Sequence, residues 1–335
     1  MIAIKGFRYA ALATALMSSL AQATAAPANW SDPSPHTRGF LTVNGIGLEY
    51  LDWGGRGPAL IFIHGSGDNA HAFDDLAPAF TDYFHVLAYS RRGHGGSVAR
   101  PPYDTATLTE DLRAFMDALG IAKAHLAGWS LGGNEITAMA AMHPDRVGRI
   151  VYLDGGYDWA DPDYKTAFEA IPPSLLDTPP SAMASFDAYV SFEKAVDYTR
   201  LDDMRRIEAY LRESVVIEPD GSVKPRIRKD VMDAVLTALW TNPPRDYARV
   251  KSPALAIYAQ SMIDLNIADA RRRDDAYVWE RTYMAPFRTK SIARVRRELA
   301  NVHIMTVAGA HDSFFLTSRE QVVKAMRRFL NGTSP

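Results

Sequence analysis

The residues best suited to chemistry lie in the segment GWSLG at positions 128–132, where Ser130 has a glycine two positions away on each side. A short apolar strand pattern precedes it at residues 125–127, and a helix pattern begins at about Leu131. A serine on so sharp a strand-to-helix turn adopts a strained backbone conformation that raises its hydroxyl above the sheet. Gly128 and Gly132 are needed because side chains there would collide across the turn. The segment therefore predicts a nucleophilic serine at position 130.

Strand and helix patterns alternate along most of the chain and would position this serine. Strands are predicted at residues 40–43, 48–53, 59–63, 86–89, 125–127, 149–153, 253–258 and 302–307. The first two are joined by an Asn44-Gly45 turn, which is typical of a hairpin. Helices are predicted at residues 71–80, 108–119, 131–142 and 319–330. This alternation predicts an α/β fold with a mostly parallel, twisted sheet and helices on both faces.

The alternation stops between residues 157 and 249, which contain many Pro, Trp and Tyr residues, several helical stretches and no clear strand. Because the strand pattern resumes at residue 253, this segment is interpreted as a helical cap inserted between two strands of one sheet. The predicted organisation is a signal peptide at residues 1–25, a core formed by residues 26–156 and 250–335, and a cap formed by residues 157–249.

The N-terminal residues form a pattern of their own. Lys5 and Arg8 precede an apolar stretch at residues 9–20, and Ala23-Thr24-Ala25 supplies small residues before a cleavage site. The apolar stretch is too short for a comfortable membrane span, so the pattern predicts a secretory signal peptide. A membrane-anchoring or disordered N-terminus is the alternative. The mature protein is expected to be periplasmic or extracellular, without membrane association.

The composition is ordinary for a globular enzyme, with 47% hydrophobic residues, 23% charged residues and a formal net charge of −2 at pH 7. No nucleic-acid partner is predicted, since the arginine clusters are typical of solvated helix faces. The chain has no cysteine, which excludes cysteine catalysis and thiolate metal sites. No metal-binding motif or phosphate-binding loop is evident, so neither a metal nor a cofactor is expected.

Four motifs follow one another along the chain: HGSG at 64–67, RGHG at 92–95, GWSLG at 128–132 and GAH at 309–311. Together they make the chain resemble the α/β-hydrolase family with a helical cap, over about residues 39–330. The resemblance implies the α/β-hydrolase fold and a serine nucleophile with a catalytic triad. It places the base at His311, in the loop after the last strand, where it would take the proton of Ser130.

The resemblance also implies an oxyanion hole made of two backbone N–H groups. One is the N–H of Leu131, and the other is that of Ser66 or Gly67. His64 resembles the family's loop-organising histidine and is not assigned as a base. The remaining histidines are assigned to surface or packing positions: His36, His71, His85, His94, His125, His143 and His303.

Two aspartates are alternatives for the acidic member of the triad. The family's usual place is shortly after the strand that follows the cap, where Asp264 lies slightly later than the typical spacing. Asp264 can also cap the next helix. Asp154, at the tip of the strand before the cap, occupies a place that some family members use, and it can also be a turn residue. Either could orient His311 and stabilise its imidazolium.

These residues predict acyl transfer to water through an acyl-enzyme. The expected substrate is a carboxylic ester or lactone of a small to medium apolar molecule, with cap aromatics such as Trp159 and Trp240 as pocket walls. A carbon–carbon bond hydrolase, a proline-releasing aminopeptidase and a non-hydrolytic ligand receptor are the alternatives. The aminopeptidase would bind a free amine through acidic cap residues, drawn from Glu193, Asp197, Asp202 and Asp203. A monomer or homodimer is expected, and the substrate's identity does not follow from the sequence.

Overall fold

The computed structural model describes residues 30–332, so the predicted signal peptide at residues 1–25 lies outside the described residues and stays a prediction. The strands are β1 (Thr37–Val43), β2 (Ile46–Gly54), β3 (Ala59–Ile63), β4 (His85–Tyr89), β5 (Ala124–Trp129), β6 (Val147–Leu153), β7 (Val215–Ile217), β8 (Val223–Pro225), β9 (Ala254–Ser261) and β10 (Val302–Ala310). Eight of them form one sheet in the order β1-β2-β4-β3-β5-β6-β9-β10. β2 pairs antiparallel with β1 and β4, and all other neighbours in this sheet are parallel. The mostly parallel sheet expected from the sequence is confirmed.

Helices connect these strands. The α-helices are α1 (Thr105–Ala118), α2 (Gly132–Met142), α3 (Pro162–Glu169), α4 (Pro173–Leu176), α5 (Phe186–Val196), α6 (Glu208–Ser214), α7 (Lys229–Thr241), α8 (Ala270–Trp279), α9 (Ala285–Glu298), α10 (Phe314–Thr317) and α11 (Arg319–Leu330). A π-helical turn, Glu280–Met284, joins α8 to α9. Across residues 30–332, none of the helices has the length and apolar character needed to cross a bilayer.

The sheet is buried on both faces because its strands alternate between two apolar cores. In β3, Ile61 and Ile63 pack into one core together with side chains of α1 and α2. Leu60 and Phe62 point the other way and pack into a second core with α11. Fully apolar strands of this kind are typical of parallel sheets that helices cover on both sides. The α/β fold predicted from the strand and helix patterns is therefore the observed one.

The segment between β6 and β9 contains α3 to α7 and is mostly helical, as the sequence indicates. It also contains the β7–β8 hairpin, so the expectation of no strand in residues 157–249 is wrong. The hairpin turns at Asp220-Gly221, where Gly221 has a φ of +86°, a conformation that glycine adopts without strain. The exact cap boundaries at 157 and 249 stay a prediction.

The single helix predicted at residues 71–80 is also wrong, since the structure has two short 3₁₀ helices there, Ala70–Phe73 and Ala77–Phe80. Asn69 caps the first one by accepting a hydrogen bond from the N–H of His71. Pro78 lies in the first turn of the second helix, where its missing N–H costs least. The apolar spacing of this segment identified a helical region without showing that it is divided.

A buried ion pair links the sheet to α2. Arg91, which follows β4, pairs through its Nε with Glu135 in the first turn of α2, and both side chains are almost completely buried. The Tyr89 hydroxyl donates a 2.7 Å hydrogen bond to the other carboxylate oxygen of Glu135. The Arg91 guanidinium also donates to the carbonyl oxygens of His64 and Gly65, the latter at 2.8 Å. One arginine therefore connects the loop after β3 to the helix that follows Ser130.

We predict that Glu135→Gln lowers the free energy of unfolding by about 3–5 kcal/mol, because it leaves the buried charge of Arg91 without its counterion. Urea denaturation followed by circular dichroism measures the change. Asp233→Asn is the control, since it removes the exposed pair with Lys229 on α7 and is expected to cost less than about 1 kcal/mol. Equal losses in the two variants would contradict a structural role for the buried pair.

Candidate active site

The residues predicted to do chemistry lie at the carboxyl ends of four parallel strands. The loop 64–67 follows β3, Ser130 follows β5, Asp154 follows β6, and His311 follows β10. Open α/β sheets bind their ligands at this edge. The strand order therefore assembles one site from segments that are far apart in the sequence.

Ser130 occupies the strained turn that the sequence indicates. Its φ is +56°, in the left-handed region that a non-glycine residue rarely adopts. Its N–H donates to the Leu153 carbonyl oxygen at 3.1 Å, which holds the turn against the end of β6. A Cβ on Gly128 would lie 2.5 Å from the Gly132 carbonyl oxygen, and a Cβ on Gly132 would collide with the Ile63 carbonyl group. Both glycines are therefore required by backbone packing.

Three buried side chains form a continuous line of hydrogen bonds. His311 Nε2 lies 2.7 Å from Ser130 Oγ, and His311 Nδ1 lies 2.6 Å from Asp154 Oδ2. All three residues are 0% exposed. With the Nδ1 proton donated to the carboxylate, Nε2 is left to accept the proton of the serine hydroxyl. The arrangement has the geometry of a serine nucleophile, its base and an orienting acid.

Of the two aspartates that the sequence leaves open, the structure brings only Asp154 to His311. Asp264 lies in the turn after β9, where its Oδ2 accepts a 2.6 Å hydrogen bond from the Thr199 hydroxyl. Its Oδ1 accepts from the backbone N–H of Asn266 at 2.8 Å, so the side chain closes a local turn. No hydrogen bond or ion pair joins Asp264 to His311 within residues 30–332. The expectation that Asp264 could reach His311 is not met.

The carboxylate of Asp154 is held by further donors. Its Oδ1 accepts from the Tyr157 hydroxyl at 2.6 Å and from the Ala259 N–H of β9 at 3.0 Å. Burial, together with the nearby charge of Asp154, raises the pKa of Tyr157 well above its ordinary value, so the phenol remains a donor. Arg288 of α9 donates from Nε to the Tyr157 oxygen at 3.1 Å. The negative charge of Asp154 is therefore compensated inside the protein.

Arg288 is fixed in turn by Glu280, which lies in the π-helical turn. The Arg288 Nη1 lies 3.0 Å from Glu280 Oε1, and Glu280 Oε2 accepts from the Met262 N–H at 2.9 Å. Burial raises the pKa of Glu280, and the charge of Arg288 opposes that rise. The sequence analysis missed Tyr157, Arg288 and Glu280, because no motif or spacing relates them to Asp154.

The loop after β3 lies against the nucleophile. A Cβ on Gly65 would lie 3.2 Å from Ser130 Cβ, which shows how closely the two backbones approach. The N–H groups of Ser66 and Leu131 form no hydrogen bond with any residue in the range 30–332. Leu131 precedes the first turn of α2, where N–H groups and the helix dipole favour negative charge. These two N–H groups are available to an oxygen anion bound beside Ser130.

His64 is buried at the start of this loop, and within residues 30–332 no hydrogen bond joins its ring to Ser130. The Arg91 N–H donates to His64 Nε2 at 3.0 Å, so Nδ1 carries the proton, 2.7 Å from the Gly65 carbonyl oxygen. Burial and the charge of Arg91 lower the pKa of His64 well below its ordinary value. A neutral imidazole that bridges backbone groups orders the loop, which matches the loop-organising position expected from the sequence.

Residues of the helical insertion cover the site. Trp159 donates from Nε1 to the Ser130 carbonyl oxygen at 3.3 Å, and its ring centroid lies 6.1 Å from that of His311. Tyr164 packs against Trp159 and against Trp240 of α7, extending the aromatic layer. Met232 Sδ of α7 lies 3.8 Å from Ser66 Oγ. Largely apolar side chains thus surround Ser130 and His311.

Comparison with known proteins supports this reading of the fold. Residues 58–260 match the family model of the alpha/beta hydrolase fold. A putative carbamate hydrolase RutD of Caulobacter segnis is 38% identical over 126 residues, which are 36% of this chain and 46% of that protein. A pimeloyl-acyl-carrier-protein methyl ester esterase of Neisseria meningitidis is 38% identical over 110 residues, or 32% of this chain and 41% of that protein. The chain thus spans about half the length of the curated relatives it matches.

A solved structure of E-2-(acetamidomethylene)succinate hydrolase is similar over 89% of this chain and 100% of its own, with a TM-score of 0.67 and 21% identity. At that identity the likeness concerns the fold alone. The family match covers more than half of the sequence, and the strand order agrees with it. The chain therefore belongs to the α/β-hydrolase family.

Proposed function

We propose that this protein is a serine hydrolase that cleaves a carboxylic ester or lactone of a small to medium apolar substrate through an acyl-enzyme. The observation that carries the proposal is the unbroken line from Asp154 through His311 to Ser130, with contacts of 2.6 and 2.7 Å. Curated relatives named as a methyl ester esterase and a putative carbamate hydrolase support hydrolysis as the reaction class.

In the first half-reaction, Ser130 Oγ attacks the carbonyl carbon of the ester while His311 Nε2 takes the hydroxyl proton. The carbonyl π electrons move to the oxygen, which becomes an oxyanion. When the tetrahedral intermediate collapses, the bond to the leaving alkoxide breaks, and His311 returns the proton to that oxygen. The products of this stage are an alcohol and an ester of Ser130.

In the second half-reaction, His311 takes a proton from a water molecule that attacks the acyl carbon. The bond to Ser130 Oγ breaks, and the proton passes from His311 to the serine oxygen. The carboxylic acid leaves and the enzyme is restored. For a lactone, both the alcohol and the acid remain in one product molecule.

The N–H groups of Ser66 and Leu131 are proposed to stabilise the oxyanion. Both belong to backbone that the protein already holds in place, so little reorganisation accompanies the build-up of charge. The Arg91 contacts to His64 and Gly65 fix one donor, and the strained turn at Ser130 fixes the other. Loss of a single donor of this kind typically costs about 10²–10³ in kcat.

Asp154 is proposed to act by orienting His311 and by stabilising its imidazolium form. The Tyr157 and Ala259 donors hold the carboxylate at a fixed position next to His311 Nδ1. A negative charge so placed stabilises the imidazolium when the proton moves from Ser130. The second aspartate, Asp264, is assigned no chemical role, because its hydrogen bonds are with Thr199 and Asn266.

The side chains that cover the site favour an apolar substrate. Trp159 contacts Ser130, and Met232 contacts the loop after β3. Of the four acidic residues from which an aminopeptidase site could be drawn, Asp202 and Asp203 form ion pairs with Arg206 and Arg205. The apolar cover at Trp159 and Met232 favours an uncharged acyl group.

We predict that Ser130→Ala lowers kcat for 4-nitrophenyl esters by at least about 10⁴-fold, because no other group can form the acyl-enzyme. Release of 4-nitrophenolate is measured across an acetate to decanoate series, whose chain-length profile estimates the size of the acyl pocket. Ser191→Ala, on the exposed face of α5, is the control and keeps wild-type rates. Full activity in Ser130→Ala would refute the mechanism. If no ester is turned over even by the wild type, carbon–carbon hydrolysis becomes the first alternative.

We also predict that Asp154→Asn lowers kcat far more than Asp264→Asn does. An amide at position 154 cannot stabilise the imidazolium and favours the wrong tautomer of His311, so kcat falls about 10⁴-fold. Asp264→Asn changes only a turn, and its kcat stays within about tenfold of wild type. Steady-state kinetics on the best ester of the series measures both. A greater loss of kcat in Asp264→Asn would identify Asp264, after β9, as the acidic member of the triad.

A further inference from the structure

A second group of functional side chains lies outside the triad. Asp32 and His36 come from the segment before β1, while His71 and Asp74 come from the first 3₁₀ helix and the residue after it. One donor atom from each of the four lies within 4.8 Å of all the others. Both histidines were expected at surface or packing positions, and no metal was expected because the sequence has no metal-binding motif.

The distances between donor atoms match the edges of a small coordination tetrahedron. His36 Nε2 lies 3.2 Å from Asp32 Oδ2 and 3.3 Å from Asp74 Oδ1, and His71 Nδ1 lies 3.3 Å from Asp32 Oδ2. Tetrahedral Zn²⁺ with bonds of about 2.0–2.1 Å to nitrogen and oxygen has ligand–ligand edges of about 3.3 Å. His71 Nδ1 also forms a 2.8 Å hydrogen bond with Asp74 Oδ2, which an ion bound at Nδ1 would replace.

The group is buried, and its charge is not balanced by arginine or lysine. The side chains of His36, His71 and Asp74 are each about 95% buried, and that of Asp32 is 23% exposed. Within residues 30–332, the only ion-pair partners of the two aspartates are the two histidines. His36 Nε2 and Asp74 Oδ1 are buried without a hydrogen bond of acceptable geometry, although they are 3.3 Å apart. An ion bound between these two atoms would give each of them a partner.

The local backbone holds these donors in position. Asp32 Oδ1 accepts from the Ser34 N–H at 2.8 Å, which leaves Oδ2 directed at the histidines. The His71 N–H donates to Asn69 Oδ1 at 3.0 Å and so fixes the start of the 3₁₀ helix. The His36 ring packs edge-on against Trp53, with centroids 5.4 Å apart. The site is therefore arranged by contacts that do not depend on an ion.

We propose that Asp32, His36, His71 and Asp74 form a tetrahedral binding site for a divalent metal ion, with Zn²⁺ as the best-fitting ion. Two imidazoles and two carboxylates are ligands that Zn²⁺ accepts, and two carboxylate charges match its charge. Four protein ligands leave no open position, so the ion has a structural role and does not activate water. It connects the segment before β1 to the chain shortly after the loop 64–67.

The test uses the full-length chain and Zn²⁺ itself. The protein is treated with a chelator, dialysed and titrated with ZnCl₂ by calorimetry, and metal content is measured by plasma mass spectrometry. We expect about one tightly bound zinc per chain. Because the ligands must be deprotonated, binding releases protons and is weaker at low pH. Saturating zinc is expected to raise the melting temperature of the stripped protein by about 5 °C or more.

His71→Gln and Asp74→Asn each remove one ligand, and both variants are expected to lose the bound zinc and the rise in melting temperature. His85→Gln is the matched control, since His85 forms a simple pair with Asp52 at the surface and its loss leaves zinc binding unchanged. If the ligand variants do not fold, Co²⁺ titration of the wild type provides a second measurement. A tetrahedral site gives strong visible d–d absorption, and an octahedral or adventitious site gives weak bands.

Three results would overturn the proposal. One is a chelator-treated wild type that binds no stoichiometric zinc, which indicates a His36 imidazolium held between two carboxylates. Another is zinc binding that persists in both ligand variants, which places the ion elsewhere. The third is a Co²⁺ spectrum without tetrahedral bands. None of these results decides whether the protein hydrolyses esters, because Ser130, His311 and Asp154 are not among the four ligands.

Discussion

The buried charge of Asp154 is the constraint on which the site's architecture depends. A carboxylate removed from water is costly unless donors replace its hydration. Here those donors come from different parts of the fold: His311 after β10, the Ala259 N–H within β9, and the Tyr157 hydroxyl at the start of the insertion. Arg288 of α9 donates a hydrogen bond to the Tyr157 oxygen. The relative positions of β6, β9, β10 and α9 are therefore coupled through the hydrogen bonds of one buried carboxylate.

Close packing between neighbouring strand ends maintains backbone strain at the site. Ser130 and Asp154, at the ends of neighbouring strands β5 and β6, both have positive φ values, +56° and +45°. Such residues cost about 1–3 kcal/mol each and persist where the surroundings fix them. A Cβ on Gly155 would lie 2.7 Å from the Gly128 carbonyl oxygen, so the two strand ends pack without room for side chains. The strain places the hydroxyl and the carboxylate on the two sides of His311.

The sequence predicted those features that depend on neighbouring residues. The turn at Ser130 follows from two glycines and a strand-to-helix pattern, all within a few positions. The choice between Asp154 and Asp264 did not follow, since both lie after a strand, and only the folded positions of the two side chains show which carboxylate reaches His311. The hydrogen bond between Arg288 and Tyr157 joins residues 131 positions apart, and no local pattern encodes such a contact. In both cases the interacting residues are far apart in the sequence, so a local pattern cannot predict that they meet.

The chain from His64 to Asp74 shows how one short segment serves both proposed sites. Its first residues form the loop beside Ser130, and its last residues supply two of the four proposed metal ligands. Between them, Asn69 donates from its side chain to the Tyr210 carbonyl oxygen and to Ser214 Oγ, both at 3.2 Å, and so attaches the segment to α6 of the insertion. An ion bound by His71 would restrict this segment from one side while Arg91 restricts it from the other. Because oxyanion stabilisation depends on donors held in place before the reaction, a structural ion here would contribute to catalysis through rigidity, without touching the substrate.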